Sequence, residues 1–367
     1  MKASSLGLLA VAAVLFLGTA CATIATPKGW SGPLAVDGAV LISSKNNITA
    51  VSPDTFVRLW TFPDDKRFPE DEDIKLDGIY GTPVTAAGVV YFGAYNGDVY
   101  ALDLEAGRPL WAQAFQTDGP VIGGVALGQD ILYAASDDGI LYAIDPESGV
   151  ERDRFDAGES IWATPLATEG AVYVATMDGE LYALDPATLD PLWSGPFQAG
   201  AGLVSTPLLA GDTILIGGMD RELHAINAAS GREVWSFKAD NWFWTQPLVA
   251  DGVVYAGSLD GNVYALALSS GDPIWPEPFA AAKAVRAAPI LVGGTLVVAD
   301  GKGNIYGLDP ATGALRWGSL ETPISLGGDV LGHPALLGTE VLFTTQGGTL
   351  FRINPQDGSL QRVTLQT

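Results

Sequence analysis

Short apolar runs fill the chain from Trp30 to its end, each broken within a few residues by Asp-Gly, Asn-Gly or an Asp-Pro-x-Thr/Ser-Gly phrase. The runs have strand length and no helical period, so the pattern predicts an all-β protein. It also repeats. Asp178-Gly179-Glu180-Leu181-Tyr182-Ala183-Leu184-Asp185 returns as Asn96-Gly97-Asp98-Val99-Tyr100-Ala101-Leu102-Asp103 and as Asp138-Gly139-Ile140-Leu141-Tyr142-Ala143-Ile144-Asp145, and again around Tyr264 and Tyr306. His224 and Phe351 occupy the tyrosine slot in weaker copies, and Thr49 in the weakest.

The eight slots lie mostly 40 or 42 residues apart, and other positions keep step. Seven residues past the slot stands glycine in Gly107, Gly149, Gly231, Gly271, Gly313 and Gly358. Eleven past it stands tryptophan in Trp60, Trp111, Trp193, Trp235, Trp275 and Trp317. Six matches in eight units at each position establish a structural repeat, which has to be read before any local motif.

Each unit divides into four strands; in the sixth they fall at 247–250, 253–258, 263–268 and 273–275. The Asp-Gly and Asn-Gly pairs supply the positive φ that two-residue hairpin turns need. Four-stranded units of this length, repeated radially, predict an eight-bladed β-propeller in which each blade covers its neighbour's apolar face. Pro83, Pro165, Pro207, Pro247, Pro289 and Pro334 open the first strands, which suits an innermost strand lining a channel. The six slot tryptophans are expected in the outer strand, buried against the next blade. Unit one begins at an inner strand and unit eight ends with an outer one, so the ring is expected to close by packing of faces, with residues 23–30 as a possible added strand.

Residues 1–21 differ from the rest. Lys2, the apolar run 6–17 and Gly18-Thr19-Ala20-Cys21 form the grammar of a secretory signal peptide. The run of 12 residues is too short for a membrane-spanning helix, which needs about 20. Cys21, the single cysteine, follows small residues as in a lipobox, although a leucine is usual where Gly18 stands. The expected organisation is a signal peptide over 1–21 with a lipid on Cys21, a linker over 22–29 and one propeller over 30–367. Two acyl anchors bury enough methylene groups for stable membrane attachment.

The chain carries a formal charge of −23, and loss of the signal removes one lysine and no acid. Nucleic acid, which is bound through cations on phosphate, is a poor partner for such a chain, and none is expected. Anionic lipid would repel the body, leaving the acyl chains alone to hold it. One cysteine and two histidines, His224 and His333, leave almost no material for transition-metal or Ser-His-Asp centres. A carboxylate pair of the glycosidase kind has 42 acids to draw on, and the sequence selects none.

The phrases Leu/Val-Tyr-Ala-Leu-Asp, then Thr/Ser-Gly, then Trp resemble the repeats of pyrroloquinoline-quinone-like (PQQ-like) propellers over nearly the whole mature chain. Within that superfamily the quinoprotein alcohol dehydrogenase branch implies PQQ and calcium as cofactors. Its vicinal cysteine pair and long insertions are missing here. The chain is also similar to BamB-type outer-membrane assembly lipoproteins, a branch that implies a non-catalytic docking surface in the cell envelope; no cofactor is expected, and the protein is expected to be a monomer.

Two places stand out as candidate sites. Aligned three residues before the strand proline, the units present Tyr80, Trp162, Val204, Trp244 and Arg286, with Trp242 and Phe243 just ahead, on the face that also carries the turns between strands two and three. Aromatics with an arginine suit a protein hot spot or a stacking pocket; the alternative is that the rings simply pack the inner layer. The loop after Trp60 crowds Asp64, Asp65, Glu70, Asp71, Glu72, Asp73 and Asp77 into 14 residues. It reads as a solvated loop, a partner contact or a calcium site, although the regular spacing and glycine of a calcium loop are missing. Both histidines read as structural.

Overall fold

The computed structural model describes residues 31–366 as eight antiparallel sheets, spanning 34–62, 84–116, 125–156, 166–198, 208–238, 248–280, 290–325 and 335–362. Each holds four strands in chain order, and the seventh has its outer strand split into Leu315–Trp317 and Ile324–Ser325. The sheets stand as the blades of a β-propeller. First strands of adjacent blades touch at the axis, as in Leu34–Val36 with Ala335–Leu337 and Val84–Ala86 with Val125–Leu127. The 3-10 turn Pro69–Asp71 is the one helical element among the described residues. The 1–21 signal segment, Cys21, the 22–29 linker and residues 23–30 as an added strand all lie outside those residues.

A blade sandwiched between two others buries both its faces, which is why middle strands such as Ala39–Ser43 and Thr295–Ala299 are apolar and buried throughout. Outer strands such as Glu151–Asp156 face water. The strand prolines directly precede first strands, as Pro247 precedes Leu248–Ala250, where the missing N–H removes no ladder bond.

The tryptophans and glycines of the repeat are two halves of one joint between neighbouring blades. Trp60, Trp111, Trp193, Trp235, Trp275 and Trp317 are each at most 9% exposed. Each indole Nε1 donates a hydrogen bond to a backbone carbonyl of the next blade: Leu104, Pro146, Ala228, Leu268, Pro310 and Pro355 in turn, at 2.8–3.0 Å. Each ring lies on the next blade's slot glycine so closely that a Cβ there would come within 2.3–2.8 Å of it. Those glycines also sit at φ of 68–74°, where an L side chain is strained.

Where the tryptophan is missing, so is the glycine that would receive it. The third blade has Asp153 in the tryptophan slot, and the fourth has Leu189 in the glycine slot; the eighth has Arg362, and the first has Phe56. Leu189 and Phe56 keep the left-handed backbone, with φ of 55° and 53°, and bury their side chains in the vacated space.

The expected fourth strand at 273–275 is displaced in the structure. Pro273 makes a single bridge to Leu266, the chain leaves the sheet through Trp275-Pro276-Glu277-Pro278, and pairing resumes at Phe279–Ala280. Prolines cannot donate to the ladder, so the strand breaks there. Blades two and four break in the same way after Pro109 and Pro191, so Trp111, Trp193 and Trp275 sit beside the outer strand and not within it.

The ring closes by face packing, as the strand order predicts: Val40, Ile42, Val51 and Phe56 of the first blade share a core with Leu342 and Leu350 of the eighth. A short parallel stitch between Val57 and Gln366 adds two backbone hydrogen bonds.

Candidate functional site: the mouth of the central channel

The turns between strands two and three share one face with the connectors that enter each blade, because backbone bonds tie them together. Tyr95, Asp137, Met177, Met219, Leu259, Gly301 and Gln346 each donate their N–H to a carbonyl of the adjacent connector, at 2.7–2.9 Å. Together these segments surround a funnel of about 600 Å³ on the propeller axis. That is the size range of small-ligand and side-chain pockets.

The funnel is built from ring positions of the repeat. Three residues before the strand proline come Tyr80, Trp162, Val204, Trp244, Arg286 and Leu331, and all six line it. Ile122 holds the same place in the third blade, which has no strand proline and so escapes an alignment on proline. One residue before the proline, a polar collar of Thr82, Thr164, Thr206, Gln246 and His333 follows. Five residues before the tyrosine slot, Tyr95, Asp137, Met177 and Met219 add a third set that only this second register reveals.

Of the expected face, Tyr80, Trp162, Trp242, Trp244 and Arg286 come together, and Phe243 does not. Its side chain is fully buried, pressed on Gly217 and packed with Phe237 and Tyr264. Successive residues of an extended connector point to opposite sides, so Trp242 and Trp244 face the funnel and Phe243 the core.

The aromatics are held. Trp162 donates from Nε1 to Asp137 Oδ1 at 2.6 Å, and the rings of Tyr80 and Tyr95 lie 5.4 Å apart. Arg286 is exposed and makes no hydrogen bond or ion pair among the described residues. Thr245 is 5% exposed, lines the funnel and has an unpartnered hydroxyl among the described residues. Burial lowers the pKa of His333, so its imidazole is neutral at neutral pH.

The two other candidate features lie away from the funnel. Asp71, the buried carboxylate of the acidic loop, is 1% exposed at its side chain and takes an ion pair from Arg108 at 2.9 Å. The same guanidinium lies 3.8 Å over the Phe68 ring. Among the described residues no three His, Cys, Asp or Glu side chains are grouped so as to hold a metal ion.

His224 takes the tyrosine slot of the fifth blade. Where the slot holds tyrosine its phenol meets a nearby carboxylate, as with Tyr142 on Asp138 at 2.8 Å and Tyr264 on Asp260 at 2.7 Å. His224 instead meets Asp220 through Nε2 at 2.9 Å and Glu233 through Nδ1 at 2.7 Å. Burial alone would lower its pKa, but the hydrogen bonds to Asp220 and Glu233 outweigh that and raise it. A raised histidine pKa adds stability that is full below the unfolded value of about 6.5 and disappears as pH climbs through the folded one. Denaturant midpoints should therefore fall from about pH 6 to about pH 8, and His224→Tyr, with a phenol on Asp220, should flatten that slope. An equal slope in the variant would assign the pH dependence elsewhere.

Fold and funnel define the class: an eight-bladed propeller of PQQ-like repeats whose axial mouth gathers the described tryptophans that do not join blades. The chain belongs to the family described as outer membrane protein assembly factor BamB, whose model matches residues 23–123, 95–206 and 196–364. A relative of that name from Yersinia pestis is 30% identical over 137 residues, which is 37% of this chain and 32% of the relative. The match thus spans about a third of that relative's length. The crystal structure of BamB from Moraxella catarrhalis superposes with a TM-score of 0.63 at 21% identity, over 77% of this chain and 84% of that one. A quinohemoprotein alcohol dehydrogenase from Pseudomonas putida gives 0.61 at 14% identity, over 77% and 66%. At these identities both structures speak to the fold alone.

Proposed function

We propose that this protein is a non-catalytic, exported scaffold, held to a membrane by lipid on Cys21 as a monomer, whose funnel mouth docks another protein of the cell envelope. Its relatives are named as outer membrane protein assembly factors, and the same kind of work is the reading favoured here.

One observation carries the proposal. The described tryptophans divide cleanly: six join blades, and the other three, Trp162, Trp242 and Trp244, line the funnel. Both methionines beyond Met1, Met177 and Met219, line it too. Tryptophan anchors with adaptable thioethers are the composition of protein-docking surfaces. No cofactor is required for such work.

Trp162→Ala and Trp244→Ala should each weaken capture of the crosslinked envelope partner about thirtyfold, the effect of losing a 2 kcal/mol anchor, with the melting temperature unchanged. An identical crosslinked set from both variants would defeat the docking reading. Cys21→Ser should end incorporation of labelled palmitate. An absorbance change and dye reduction on adding PQQ and calcium would replace the scaffold with the dehydrogenase reading.

A further inference from the structure

We infer that the sector of the mouth between blades five and seven receives an acidic polypeptide segment that also carries apolar side chains, with Arg221, Lys283 and Arg286 on its carboxylates and Trp242 and Trp244 on its apolar part. The inference rests on the docking proposal and adds the chemistry of the partner.

Arg221 is the first ground for it. The turn between strands two and three uses glycine at positive φ in six blades, among them Gly97, Gly139, Gly179 and Gly261. In the fifth blade that position is Arg221, exposed and still at a φ of 73°. An arginine there strains the backbone where glycine would not, and such outliers persist where the side chain is used. It follows the funnel-lining Met219 by two residues, in the turn on the same face, and Lys283 precedes the funnel-lining Arg286 by three on the connector of that face.

Charge is the second. This chain is strongly acidic, yet the carboxylates of the sector are committed internally. Asp220 holds His224 and the N–H of Gly200; Asp260 holds Tyr264 and the N–H of Asp240. Asp300 holds Asn304, and Glu222 is paired with Lys238. Asp240 is the exposed exception. Arg221, Lys283 and Arg286 have no ion pair among the described residues; exposed cations such as Arg58 and Arg232 have none either, but these three share a face with the tryptophan anchors. Unpaired cations around apolar anchors select an anionic, partly apolar occupant. An extended protein segment fits better than a membrane, because a flat bilayer surface does not bend into a concave mouth of about 600 Å³.

Fluorescence anisotropy with three labelled peptides of equal length tests this: alternating Asp-Leu, Asp-Ser and Gln-Leu. The Asp-Leu peptide should bind about tenfold more tightly than either control, and less so at high salt. Lys283→Gln/Arg286→Gln should remove that advantage. Arg221→Gly should weaken Asp-Leu binding severalfold while raising the melting temperature by about 1 °C, a pairing that a purely structural arginine cannot produce. Failure of the Asp-Leu peptide to bind, equal binding of Gln-Leu, or binding indifferent to the three cations overturns the inference, as does cation-dependent binding to phosphatidylglycerol vesicles in place of peptide. If Trp244-dependent crosslinking survives any of those results, only the acidic partner is refuted; if it is lost as well, the docking reading falls with it.

Discussion

Trp111→Ala is expected to lower the unfolding free energy by about 3–5 kcal/mol, since it empties a large buried socket. Gly149→Leu should cost a similar amount, because any Cβ at Gly149 meets the Trp111 ring at 2.5 Å. The double variant should lose far less than the sum. Its leucine would enter the space that the indole vacated, as Leu189 does beside Asp153 at the next interface. Coupling of contacting residues commonly reaches 0.5–3 kcal/mol, and this pair should lie near the top of that range. Equilibrium urea unfolding of the three variants measures it. Additive losses would show that tryptophan and glycine are not two sides of one joint.

Removing Arg108 should have the second largest effect, because it strands a charge. With Arg108→Ala the carboxylate of Asp71, 1% exposed at its side chain, loses its cation and the loop loses the guanidinium stacked on Phe68. Breaking a buried pair by taking one partner costs about 3–5 kcal/mol; with Arg108 itself 27% exposed, the lower end applies. The outer contact of the same arginine with exposed Glu70 adds little. Arg108→Ala/Asp71→Asn should recover part of the loss, since the uncompensated charge is gone. Denaturant midpoints compare the two, and equal values would mean that the buried charge is not what Arg108 serves.

The tyrosine, glycine and tryptophan registers predicted eight blades, their strand order and tryptophans buried against the next blade; that the slot glycine receives the indole, and through which residues the ring closes, came from the structure. Each register is a local turn or strand signal copied many times, so one blade confirms another. The proline register located Tyr80, Trp162, Trp244 and Arg286 on the funnel for the same reason. It passed over Ile122, whose blade lacks the proline, and Met177 and Met219, which keep step with the tyrosine slot instead. The break after Pro273 was legible in principle from that proline, since Pro109, Pro191 and Pro273 stand nine residues past the slot in the three blades that break there.

What the chain determined alone was periodic: blade number, faces, and which tryptophans face a neighbour. Those properties follow from alternation and turn chemistry within some forty residues. Only the tertiary structure decided what depends on atoms far apart in sequence. It placed Phe243 in the core while its two neighbours open on the channel, joined Asp71 to Arg108, and left Arg221, Lys283 and Arg286 without counterions beside a cluster of committed carboxylates. Whether a charge is paired or free is settled by distance in space, and spacing along a chain does not encode that distance until the ring has closed.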